Sequence, residues 1–119
     1  TKVFLFSMNW ISIEYHSHLE DIKEKSFTRF QLIFKHSTRC SISSMAKSRL
    51  ERANAPKNID YYFMDLIKFR ELSNKIATEF HVNHESPQVL LIKNGECIYA
   101  ESHNGIAMEE IEIFTQQVN

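Results

Sequence analysis

Cys40 stands in the stretch Phe34-Lys35-His36-Ser37-Thr38-Arg39-Cys40-Ser41-Ile42-Ser43, where an apolar run passes into polar residues. A cysteine thiolate is a nucleophile towards disulfide sulfur, and the chemistry needs no second group from the same chain. Three residues on, where a dithiol redox protein carries its second cysteine, stands Ser43. A hydroxyl cannot close an internal disulfide, so exchange at Cys40 must pass through an external thiol. The neighbours Thr38, Arg39, Ser41 and Ser43 are polar, a poor setting for a cysteine that only packs. His36, Lys35 and Arg39 are expected to add positive potential around the sulfur. Cys97, the only other cysteine, is remote in sequence and reads as a small buried hydrophobe.

The elements that must hold Cys40 follow from periodicity. Residues 30–34 (FQLIF) form a buried-strand run. After Cys40, Ile42, Met45/Ala46, Leu50 and Ala53 recur every three to four positions and predict an amphipathic helix ending near Asn54. Cys40 therefore falls at a strand-to-helix junction. The unpaired N–H groups and positive dipole end of the helix favour thiolate over thiol there.

The rest of the chain repeats this alternation. The capping-box pattern Ser17-His-Leu-Glu20 predicts a helix over about 18–26. Residues 59–66 (IDYYFMDL) read as a strand, and Phe69, Leu72, Ile76 and Phe80 mark a helix over 69–81. Residues 89–92 (VLLI) are a fully apolar strand. Asn94-Gly95 is a strong hairpin signal, because both residues tolerate positive φ. Residues 96–100 form the return strand, and a final helix carries Met108, Ile111, Phe114/Thr115 and Val118. The order α-β-α-β-α-β-β-α predicts an α/β domain with a mixed four-stranded sheet and helices on both faces.

Composition narrows the function. The sequence has 119 residues, a formal net charge of −1 and no cluster of five or more basic residues, which argues against nucleic acid as a partner. Two cysteines exclude a disulfide-dense scaffold and suit a reduced, cytoplasmic protein. Residues 1–6 are apolar but too short for a membrane span, so no membrane partner is expected. We read one domain over 1–119, with 1–9 as a candidate N-terminal extension. Among the six histidines, His16/His18 and His81/His84 are close pairs, but neither finds a third ligand for zinc, and they read as surface residues.

Taken together, the blocks 34–43, Arg70-Glu71-Leu72-Ser73-Asn74, His84-Glu85-Ser86-Pro87-Gln88 and Ser102-His103 resemble the YtxJ-like monothiol bacilliredoxins, redox proteins of the bacillithiol system. The blocks appear in matching order over 34–103. The resemblance implies a thioredoxin-like fold with Cys40 as nucleophile and Pro87 as a cis-proline beside it. It implies that Ser86 offers backbone groups to an extended substrate, and that the loop at His103 comes near the cysteine. Arg39, Ser41, Ser43, His36 and His103 are then substrate-binding or thiol-tuning candidates, His103 for an anionic part of the small thiol. One departure is Ser41, where the family carries proline. The implied activity is that of a monothiol oxidoreductase that resolves mixed disulfides between S-thiolated client proteins and a low-molecular-weight thiol. Bacillithiol is then a co-substrate and no cofactor is bound. Two other readings stay open at this stage. One is an arsenate-reductase-like thiol enzyme drawing on Arg39, Arg49 and Arg70. The other is a non-enzymatic binding or adaptor module, for which cluster binding is disfavoured by the bulk of Ile42.

Overall fold

The computed structural model describes residues 8–117. Its elements in chain order are β1 (Ile11–Ser12), α1 (His16–Lys25), β2 (Phe30–His36), α2 (Ser41–Arg52), β3 (Ile59–Asp65), α3 (Arg70–Phe80), β4 (Gln88–Lys93), β5 (Glu96–Ser102), a 3-10 turn (His103–Gly105) and α4 (Met108–Gln117). The sheet has five strands, not four, in the order β1-β3-β2-β4-β5. The extra strand β1 pairs parallel with β3 through two residues only. That is too short to leave a periodic signature in sequence.

β2 occupies the middle of the sheet, parallel to β3 and antiparallel to β4. All seven of its residues are buried. This is the pattern of a strand covered on both faces, and alternation then sends successive side chains to opposite layers. Phe30, Leu32 and Phe34 join Ala46 and Leu50 of α2, and Met108 and Ile111 of α4, in one core. Ile33 joins Leu19 and Ile22 of α1 and Leu72, Ile76 and Phe80 of α3 in the other. Each such fully buried large side chain is worth about 1.5–3 kcal/mol relative to exposure. Two packed layers therefore fix where the C-terminal end of β2 must lie.

The hairpin between β4 and β5 turns through Asn94 (φ 54°) and Gly95 (φ 79°). Both backbones sit in the left-handed region, as the Asn-Gly pair predicts. Their N–H groups donate to the carbonyl (2.9 Å) and Oγ (2.8 Å) of Ser26, which ties the hairpin to the end of α1. The start of α1 differs from the expected Ser17–Glu20 box. The helix begins at His16, and His18 Nδ1 accepts from the N–H of Glu14 (3.0 Å) and of Tyr15 (3.4 Å). An imidazole nitrogen three residues into the helix does what a glutamate would do in the usual box. Residues 1–7 of the expected extension lie outside the described residues, while Met8 and Trp10 pack against the α2/α4 core. Among the described residues no helix is long and apolar enough to cross a membrane.

Candidate active site

Cys40 is the N-cap of α2, with extended backbone (φ −108°, ψ 122°). Its own N–H donates to Ser37 O at 3.1 Å, and its carbonyl accepts from Ser44 N–H at 3.0 Å, the first turn of the helix. The N–H groups of the first helical residues have no acceptor within the helix. They and the aligned peptide dipoles face the N-cap, where they favour negative charge. No acidic residue lies in the first turn to oppose them. The thiol is free of disulfide bonding and the residue is half-buried. Ser41 and Arg39 on either side are exposed.

Ser43 faces the other way. Ser43, Ala46 and Leu50 form the buried stripe of α2. Within that stripe the Ser43 hydroxyl accepts from Ser37 N–H at 2.9 Å and lies 2.7 Å from His36 Nδ1. With the oxygen accepting from Ser37 N–H, its proton is free to point to His36 Nδ1 in the tautomer that carries the ring proton on Nε2. That assignment needs a neutral ring. Burial holds His36 below the ordinary imidazole value; Lys47 adds to this, and Asp65 and Glu51 work against both. The ring also stacks on Phe34 at 5.5 Å, and Phe34 in turn meets Trp10 at 5.7 Å. The hydroxyl at the resolving position is thus an internal fastener between α2 and the end of β2.

Pro87 reaches the same end of the sheet by register. The antiparallel ladder between β2 and β4 ends at the pair Lys35 and Gln88, so Pro87 comes in beside the exit of β2. The Ser86–Pro87 peptide is cis. Ser86 Oγ is buried and has no hydrogen-bond partner among the described residues. His103, with φ 55°, donates its N–H to Pro87 O at 3.0 Å. Its Nε2 lies 3.7 Å from Glu85 Oε1, a pair about half exposed and of small energetic consequence. Arg49 of α2 completes the frame by donating to His103 O (3.1 Å) and Ile106 O (3.2 Å). This guanidinium was not separable by spacing from the other arginines. It links the helix that Cys40 caps to the loop that carries His103.

Cys40, Ser43 and His36 thus form one group, and Ser86, Pro87 and His103 another, joined through Arg49. Lys35 departs from expectation. It lies one residue before His36 in an extended strand, so its side chain enters the opposite layer. There Nζ lies 3.2 Å from Ser73 O and 3.2 Å from His84 Nδ1. It is tied to α3 and to the loop before Pro87 rather than to the cysteine loop. His84 is likewise more than a surface histidine. Asp65 and Arg70 do not pair; Asp65 Oδ1 instead accepts from Ile67 N–H at 3.1 Å, closing the turn after β3.

Cys97 belongs to the α1/α3 layer, on the far face of the sheet from α2. Its thiol donates to Tyr99 O at 3.3 Å. Burial pushes it above the ordinary thiol value, against the opposing effect of backbone hydrogen bonds at Tyr99 and Leu91. It cannot meet Cys40 across the sheet without unfolding one layer.

The comparisons agree with this geometry. Residues 11–111 match the family model of the monothiol bacilliredoxin BrxC. A solved thioredoxin-fold protein proposed to be an oxidoreductase is 27% identical, with a TM-score of 0.77 over 87% of this chain and 90% of that one. A thioredoxin variant from Halobacterium salinarum is 11% identical with a TM-score of 0.70, over 95% of this chain and 91% of its own. A thioredoxin from Nicotiana alata is 17% identical with a TM-score of 0.69, over 93% of each chain. The last two show the fold alone. The chain has a thioredoxin fold with a thiol redox role, and it belongs to the monothiol bacilliredoxin family.

Proposed function

We propose that this protein resolves mixed disulfides between client proteins and a low-molecular-weight thiol, bacillithiol, through Cys40 alone. The Cys40 thiolate attacks the small thiol's sulfur in the mixed disulfide. The protein thiolate leaves, and Cys40 carries the small thiol as a disulfide. A second small thiolate then attacks that sulfur, releasing the small-molecule disulfide and restoring Cys40. Each step forms one S–S bond and breaks one, so no other oxidant or reductant enters. The cytoplasm is the matching compartment, since the cycle needs a reduced Cys40 and a pool of free thiol. No nucleic acid or membrane takes part.

The observation that carries this reading is the contrast between positions 40 and 43. The first is a free, half-buried thiol at a helix N-cap; the second is a buried hydroxyl committed to His36 and Ser37. An oxyanion-handling enzyme is less well supported, because Arg49 is already engaged by two carbonyls. Arg39 is exposed at the rim and available for the carboxylates of an anionic thiol. The test is release of bacillithiol from an S-bacillithiolated model protein. Wild type is expected to turn over and Cys40→Ser to fall to background. Unchanged release by Cys40→Ser would refute the reading.

A further inference from the structure

The core beneath the site holds an amine that the reaction itself does not use. Lys35 is fully buried at 0% exposure. None of the ion pairs formed by the described residues includes it. Burying a cation without a carboxylate costs several kcal/mol, and an apolar side chain of the same length would avoid that cost. What the amine contributes, and a methyl group cannot, is hydrogen bonding. It donates to Ser73 O on α3 and to His84 Nδ1, which Ser73 Oγ also approaches at 3.2 Å. His84 can accept because its ring is held below the ordinary imidazole value by burial, with Lys35 and Arg70 adding to this and Glu85 opposing.

His84 opens the loop that leads through Ser86 to Pro87. That loop is fastened at its base by Gln88, whose Nε2 donates to Asn83 O at 3.0 Å and whose Oε1 accepts from Glu85 N–H at 3.4 Å. It is fastened to the end of β5 through His103 N–H and Pro87 O. A further tie comes from β2, the strand whose exit carries Cys40. From these contacts we infer that Lys35 is a positioning residue: from inside the core it sets the 83–87 loop against the cysteine loop, and thereby the affinity of the site for the protein part of a mixed disulfide. This rests on the proposed reaction for its substrate, though not for the clamp itself.

The full chain is tested as Lys35→Met and as His84→Ala, the second keeping the buried lysine and removing only its partner on the loop. For each, kcat and KM are measured with an S-bacillithiolated protein, and amide hydrogen exchange is followed at residues 84–88. A lost hydrogen bond of ordinary strength predicts KM raised about fivefold or more, with kcat within about twofold of wild type. Exchange at 84–88 should rise about tenfold in both variants while the α2 amides stay protected. A general structural role would not split KM from kcat in this way. If Lys35→Met does not fold, His84→Ala decides alone. An unchanged KM in folded variants overturns the inference. A wild type without turnover refutes the proposed reaction instead, and the clamp is then judged by exchange: a rise at 84–88 supports it, and none overturns it.

Discussion

Cys40 and Cys97 are both half-buried and both free of disulfide bonding, yet the fold treats them in opposite ways. Cys40 occupies the N-cap position of α2, just beyond the end of the central strand. Cys97 lies in the edge strand β5, packed against the α1/α3 core, with its proton directed to Tyr99 O. A half-buried thiol is therefore the proposed nucleophile in one place and a packing residue in the other. What separates them is position: Cys40 stands at the N-terminal end of a helix, whereas Cys97 lies within a strand with the acceptor Tyr99 O at 3.3 Å. Ser43 sharpens the contrast, because the position best placed to partner Cys40 carries a hydroxyl with both of its hydrogen-bonding roles filled.

The largest effect should come from replacing each thiol in turn. Cys40→Ser is expected to abolish turnover, while Cys97→Ser stays within about twofold of wild type, since the proposed cycle passes through Cys40 alone. A comparable loss in both variants would erase the distinction and implicate Cys97 in the cycle.

Ser43→Ala probes the fastener beside the nucleophile. It strands Ser37 N–H and His36 Nδ1 in a buried site, and leaving such groups unpaired costs about 1–3 kcal/mol. Denaturant unfolding should register that loss while the folded variant keeps measurable turnover. Complete inactivation of a folded Ser43→Ala would mean that the hydroxyl acts in the reaction.

A smaller effect separates burial from chemistry. Burial holds Lys35 at about 8, down from 10.5. Between those values the unfolded chain binds more protons than the folded one, so this residue adds stability as pH rises and loses it as pH falls through 8. Cys97 has the opposite sign: its raised value makes it lose stability as pH climbs past the ordinary thiol range. Taking Lys35→Met as the reference isolates the lysine. From pH 7.5 to 9.5, wild type should gain about 2 kcal/mol relative to that variant in urea unfolding. A flat difference would show that the buried amine titrates normally.

Much of this arrangement could be read from the chain because the decisive signals are local. The apolar run before Cys40, the helical stripe after it and the Asn94-Gly95 turn each lie within one element. β1 could not be read, since two residues carry no period. The helix start at His16 escaped because His18, not Glu20, satisfies the free N–H groups. Lys35 was set beside Cys40 by closeness in sequence, although strand alternation alone sends it to the other layer. The ties from Lys35 to His84 and from Arg49 to His103 join residues 49 and 54 positions apart, and only the packed fold brings them together.

The central claim is that one thiol, at one place, accepts the small molecule. Intact mass and peptide mapping after incubation with bacillithiol disulfide test it most directly, with glutathione disulfide as the comparison. The account predicts a single bacillithiol adduct, located on Cys40, formed in preference to the glutathione adduct. No adduct on Cys40, or equal labelling of Cys97, would contradict it.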